Sequence, residues 1–288
     1  MEKAFSISLL ISPSEDEIIK ASDLSAVGPD LIKGALDKNT LSRIHFNEIT
    51  AAYFKIPYIS GRGSAKRVHA SPAGVFCKGE KMVVVLSRHF EEIEKAIASA
   101  SNKETGTGDI LCAILYATAL IYIDRLEIID RETEKLENSM KRKVNNSGIF
   151  ELMDYQRSLT AISTALKGLD RIMKRMQENR SRFPDSELLD DTGVAVLQAT
   201  GMAEIFSSDL DALMDAFGSV LSNNVNQIMK ILTSLTLIVA IPTMIAGLYG
   251  MNVRLPIGSD PNAFWIISGA AALLSVITGI FFYFRKLL

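Results

Sequence analysis

The sequence predicts an α+β membrane protein, with an N-terminal cytosolic α/β domain, a long helical stalk and two C-terminal transmembrane helices. Three observations carry that prediction. Two uncharged apolar segments lie within the last sixty or so residues, each close to the roughly 20 residues a bilayer demands. Ahead of them, apolar residues recur at spacings of three and four over stretches longer than a globular helix. The first ninety or so residues instead show short strand-like runs broken by turn residues.

Composition narrows the class. Of 288 residues, 48% are hydrophobic, and the excess collects at the C-terminal end instead of spreading as in a soluble domain. A net charge of −2 offers no basic domain, so no nucleic-acid partner is expected. Cys77 and Cys112 lack partner spacing and read as free cytosolic thiols. His45, His69 and His89 are scattered, and neither a Gly-rich phosphate loop nor a nucleophile elbow appears, so no enzyme is expected.

The elements follow in order. Ala4 to Ser12 alternates as a strand, and the Ser-Pro-Ser-Glu-Asp-Glu that ends it does not fit a secretory signal. The bulk of the chain is therefore expected in the cytosol. Pro29 to Asp37 reads as a short helix and Arg43 to Pro57 as extended chain around Asn47-Glu48. Ala73 to Cys77 and Lys81 to Ser87 form the clearest hairpin, joined by Lys78-Gly79-Glu80. From His89 the period becomes helical, with a helix to Ser99 and a polar loop from Ser101 to Gly108. A long helix is expected from Asp109 to Val144, ended by Asn145-Asn146-Ser147-Gly148. The next, about 149–180, carries Leu159, Ile162, Leu166, Leu169, Met173 and Met176 as a coiled-coil-like seam. Arg180 to Pro184 breaks it. A third long helix starts near Asp185, capped by Asp185 or Ser186, and keeps one apolar stripe from Met202 to Val220. Running to Leu248, it would span about 95 Å at 1.5 Å per residue, which reads as a stalk entering a membrane.

The expected divisions are thus 1–108 for the α/β domain with its linking helix, 109–228 for the stalk and 229–288 for a transmembrane hairpin. The spans are placed at about 229–249 and 263–284, with an external loop at 250–262. Pro242 is tolerable within a membrane helix, and Trp265 and Tyr283 stand where interfacial anchors stand. Lys230, Arg285 and Lys286 flank the side of the termini, against Arg254 alone in the link. Positive-inside then sets both termini in the cytosol of a cell (inner or plasma) membrane. Two spans cannot enclose a conduit alone, so several copies are required. The first span is the better liner, with Thr233, Ser234, Thr236 and Thr243, although such hydroxyls often bond their own helix.

The first span ends Ile245-Ala246-Gly247-Leu248-Tyr249-Gly250-Met251-Asn252. That Tyr-Gly-Met-Asn, with Pro242-Thr243 before it and Ser222-Asn223-Asn224-x-Asn226-x-x-Met229-Lys230-x-Leu232-Thr233 upstream, resembles the CorA family of magnesium transporters. The resemblance is close over about 185–288, general over 109–184 and faint over 1–88. It implies a homopentameric funnel in a lipid bilayer that passes divalent cations, most of all Mg²⁺, with Co²⁺ or Ni²⁺ also in view. It implies a selectivity filter at Tyr249, Gly250, Met251 and Asn252, and a pore face of Thr243, Ala240, Leu237, Leu232, Met229 and Asn226. The chemistry suits the ion. Mg²⁺ sheds water reluctantly, and Asn or backbone carbonyls accept hydrogen bonds from its polarised waters without stripping them. A Leu or Met constriction closes such a pore by excluding water. The rival that Gly-Met-Asn only caps the helix stays open.

The resemblance also implies a regulatory Mg²⁺ held by carboxylates between stalks, at Asp191 with Asp190 and Glu187 as neighbours. The family's acidic partner position falls on Gly34, with Asp37 nearby. Nearer the membrane, Glu204, Ser208, Asp211 and Asp215 share one helical face by spacing, as a negative mouth or as a solvated face. No cofactor is implied beyond Mg²⁺ as cargo and regulator. A zinc transporter of the same fold is a rival, although the expected pore face has no thiol or imidazole. Proton coupling stays open. A non-conducting, membrane-anchored coiled-coil scaffold or sensor is the rival from another class.

Overall fold

A computed structural model of the chain describes residues 6–61, 67–101, 106–142, 146–183, 185–251, 256–257, 261–285 and 287. It divides into two units, Met1–Met214 and Asp215–Leu288.

The first unit is built on a five-stranded mixed sheet. Its strands are β1 (Ser6–Ile11), β2 (Arg43–Phe46), β3 (Thr50–Ser60), β4 (Arg67–Lys78) and β5 (Lys81–Leu86), in the order β1-β5-β4-β3-β2. Only β1 and β5 run parallel; the other pairs are antiparallel. Met82 to Leu86 are buried on both faces, which explains the unbroken apolar run of β5. The expected hairpin is present and one residue tighter, because Lys78 pairs with Lys81. Gly79 opens its two-residue loop at a φ of 59°, a conformation that a side chain would strain.

β4 begins well before the expected Ala73, at Arg67, and pairs with β3 to its end. This outer ribbon, Lys55–Ser60 against Arg67–Pro72, runs beyond the pairing of β2, which stops at Tyr53, and of β5, which stops at Ala73. Pro57 and Pro72 lie in it, where each strand has a free edge and a missing N–H breaks no sheet ladder. The Pro72 carbonyl accepts from the Ser87 hydroxyl at 2.8 Å.

One face of the sheet is covered by α1 (Glu15–Ser25) and α2 (Pro29–Gly34), with Ile18, Ala21, Val27, Ile32 and Ala35 packed on Tyr53, Phe76, Val83 and Val85. The run Ser14 to Glu17 that closes the first strand also opens α1, which the periodicity alone did not mark. Ser14 and Glu17 form a reciprocal capping box there. The sheet also carries α4 (Thr107–Arg142), against β3, and α5 (Asn146–Glu178), against β4, β2 and β3. The Tyr122 hydroxyl of α4 donates to the Lys55 carbonyl at 2.8 Å. The expected seam of α5 is real: Leu159, Ile162, Leu166, Leu169, Met173 and Met176 are all buried. α5 starts earlier than expected, because Asn146, Ser147 and Gly148 are helical and not a turn; 143–145 lie outside the described residues. α3 (Glu91–Ser101) packs on α4.

A 3₁₀ turn at Arg180–Arg182 separates α5 from α6 (Ser186–Tyr249), a helix of 64 residues. Asp185 caps it, its carboxylate accepting from the Leu188 N–H at 3.0 Å. In the first unit α6 buries Leu189, Thr192, Val196, Ala199, Ala203 and Leu210. In the second unit the remainder of α6 is followed by α7 (Ala263–Phe284). Both helices are long and apolar enough to cross a membrane.

Candidate functional site

The second unit holds the residues of the expected conduit. α6 and α7 meet through small and hydroxyl side chains. The Ser234 hydroxyl, on a buried side chain, donates to the Leu287 carbonyl at 3.3 Å. Ile238 lies against Gly279, whose position would bring an added Cβ to 3.7 Å from it. Pro242 explains a third contact. Having no N–H, it leaves the carbonyl of Ile238, four residues earlier, without its helical donor. The Ser275 hydroxyl of α7 stands 3.4 Å from that carbonyl and 3.0 Å from its own Ala271 carbonyl. The one proton of that serine is shared between the two carbonyls, so the acceptor that proline orphans has a donor within reach on the neighbouring helix.

Ile238, which meets Gly279 and Ser275 of α7, defines the side of α6 that faces α7, and the opposite side follows from 3.6 residues per turn. Met229, Ala240 and Thr243 lie within about 40° of the direction facing away from α7. Leu232 and Asn226 lie about 60° from it, and Leu237 about 80°, so Leu237 flanks that face. All six are exposed in a single copy. A groove along this side is lined by Leu235, Thr236, Val239, Ala240, Thr243 and Met244. The hydroxyls of Thr236 and Thr243 donate to the carbonyls of Leu232 and Val239, each at 2.8 Å. They do bond their own helix. With the proton committed inward, each oxygen offers only lone pairs outward, which suits a hydrated cation.

At the end of α6, the Gly250 N–H still donates to the Ala246 carbonyl at 2.9 Å. Gly250 does not take the left-handed backbone of a helix-stopping glycine. A Cβ there would come to 3.3 Å from the Ala246 carbonyl. The Met251 N–H donates to the Leu248 carbonyl at 3.3 Å, and the Tyr249 hydroxyl donates to the Pro256 carbonyl at 3.1 Å. The tyrosine of the motif therefore ties the helix end to the link. Asn252, Arg254 and Asp260 lie outside the described residues.

In the first unit, Glu187, Asp190 and Asp191 are exposed near the start of α6. Asp190 is paired with Arg180, not with another carboxylate. Among the described residues, no three His, Cys, Asp or Glu side chains converge as a metal site within one chain. Glu204 and Asp211 are exposed on α6, and Asp211 accepts from the Gln156 amide at 2.8 Å. Asp215 is exposed at the start of the second unit. Sequence reasoning did not find Ser275 as the partner of Pro242, since only the alignment of two helices brings them together. It also missed an exposed apolar strip on α6, Val194, Leu197 and Ile205, at 65%, 70% and 59% exposure. Its three- and four-residue spacing around Gly201 was the available signal.

Comparison with known proteins gives this geometry a family. The cobalt/magnesium transport protein CorA of Methanocaldococcus jannaschii is 26% identical over 286 residues, covering 95% of this chain and 88% of the relative. The solved structure of the CorA magnesium transporter from the same organism superposes with a TM-score of 0.82 at 22% identity, over 96% of this chain and 89% of that one. The ZntB cytoplasmic domain from Vibrio parahaemolyticus aligns with a TM-score of 0.60 at 9% identity, over 75% of this chain and 88% of that one. At these identities the structures establish a shared fold. The family described as CorA-like Mg2+ transporter protein matches residues 3–286, and this chain is a member of it.

Proposed function

We propose that the chain assembles as a homopentamer in the cell membrane and passes hydrated divalent cations, Mg²⁺ foremost, into the cytosol along α6. One observation carries this reading: in a chain matched by the Mg²⁺ transporter family over residues 3–286, the side of α6 turned from α7 bears Met229, Ala240 and Thr243 without a charge. Relatives named for cobalt and magnesium transport support divalent cation transport as such. The uncovered strip Val194, Leu197 and Ile205 supports assembly, since a single copy leaves it in water. Tyr249, Gly250, Met251 and Asn252 form the filter, with both termini cytosolic and 250–262 as the external loop. The stalk, 109–228, carries regulation. Glu187, Asp190 and Asp191 hold an inhibitory Mg²⁺ between copies, while Glu204, Asp211 and Asp215 gather cations at the cytosolic mouth.

The test is ion flux into proteoliposomes, comparing Mg²⁺, Co²⁺, Ni²⁺ and Zn²⁺. Mg²⁺ influx is expected, abolished by Asn252→Ala with assembly intact by size-exclusion chromatography. Normal Mg²⁺ influx through that variant would sink the filter assignment. Flux of Zn²⁺ in preference to Mg²⁺ would reassign the cargo, and absence of any flux would favour a scaffold.

A further inference from the structure

We propose that the first unit binds a triphosphate chain, free or carried by a nucleoside, in the cleft at the outer end of its sheet. The cleft has a volume of about 990 Å³, the upper end of the range for small-molecule sites. It lies where the outer ribbon of β3 and β4 runs past β2 and β5, between the segment entering β2, the segment leaving β5, and α5.

Its charge is one-sided. Lys38, Lys55, Arg88, Arg157 and Arg171 all line it, and none of its lining residues is Asp or Glu. The chain as a whole has 33 acidic against 31 basic residues, so composition does not explain this. Nor do neighbours quench it. Arg157 faces the Asp154 carboxylate at 3.7 Å, but that same carboxylate group holds Arg67 at 2.6 Å. Among the described residues, Lys38, Lys55, Arg88 and Arg171 have no carboxylate within ion-pair distance.

Two of these cations are also held in place. Lys55 is half-buried and its ammonium donates to the Lys38 carbonyl at 2.9 Å, which fixes its charge at the cleft wall. The Arg88 guanidinium sits over the Tyr58 ring, 4.1 Å from its centroid. Lys55 is half-buried without a carboxylate partner and Arg88 is exposed but ordered, so the cleft presents positive charge that an anion would neutralise. One phosphate group carries about two negative charges, too few for five cations spread across the cleft. A chain of three phosphates comes closer to that charge, and charge-assisted hydrogen bonds from guanidinium and ammonium groups are its natural recognition.

The experiment is isothermal titration calorimetry on the full-length protein in detergent, in EDTA and at about 0.15 M salt, where exposed charges are screened beyond roughly 8 Å. ATP, inorganic triphosphate, orthophosphate and sulfate are titrated separately. Saturable binding of triphosphate, one per chain, is expected. Lys55→Gln and Arg171→Gln should each weaken it about 10-fold or more, with thermal unfolding unchanged; Lys38→Gln serves if either variant fails to fold. Equal binding of ATP and triphosphate supports recognition of the phosphate chain alone, and tighter ATP adds a contact to the nucleoside. Absence of saturable binding, orthophosphate or sulfate binding as tightly, or variants that bind like the native chain would each overturn the proposal. Transport plays no part in this readout, so its outcome is independent of the pore.

Discussion

Burial sets the chemistry of the two thiols. Cys112 is fully buried, and burial pushes its thiol up to about 12, with the Asp109 and Asp185 carboxylates adding to the rise. Burial alone pushes Cys77 up to about 12. A raised thiol pKa disfavours the thiolate below it, so at pH 8 only about one thiol in 10,000 is ionised. Maleimide at pH 8 should therefore leave both cysteines unlabelled in the native protein and label two per chain in denaturant. Stoichiometric labelling without denaturant would contradict this. The same scale shows what the sequence could reveal of the site. The Tyr249 to Met251 motif was readable because it is contiguous, and its part in a filter is what Asn252→Ala tests. The inward-turned hydroxyl of Thr243 was foreseeable only as a local habit of threonine. The Asp190–Arg180 pair was not readable, because it forms across the break between two helices.

Among the elements, α6 and α7 offer the sharpest test. With Pro242 present, Ser275→Ala leaves the Ile238 carbonyl without a donor. With Pro242→Ala, helix α6 supplies its own N–H to that carbonyl and the serine matters less. A double-mutant cycle on unfolding in mixed micelles should show coupling of about 0.5–1.5 kcal/mol; strictly additive effects would rule the pairing out. The long helices were legible because their periodicity persists, as the buried run from Leu159 to Met176 on α5 confirms. β5 was legible as an apolar run. α1 was overlooked although Ser14 and Glu17 carried its signature, because Pro13 and the three acidic residues were read only as the end of the first strand. The outer half of β4 was illegible for a physical reason. Arg67, His69, Ser71 and Pro72 have little strand propensity, and pairing with β3, together with α5 and Ser87 alongside, holds them extended.

For the whole molecule, assembly and control are the quantities to measure. The exposed strip on α6 predicts that Leu197→Asp, which puts five like charges into a shared seam of the proposed pentamer, lowers the mass found by light scattering in detergent. An unchanged mass would remove that strip from the interface. Control is separable: Asp191→Ala should leave assembly alone and raise several-fold the cytosolic Mg²⁺ needed to halve the flux in proteoliposomes. Unchanged inhibition would count against a metal there. Pro242 bears on something earlier than either, the making of the protein. A nascent first span that enters lipid alone carries one carbonyl, that of Ile238, which its own helix cannot serve, and its partner serine is synthesised 33 residues after the proline. Until that second segment arrives, the first has reason to linger beside the insertion machinery or water. In lipid, the first span is therefore better satisfied beside the second than alone.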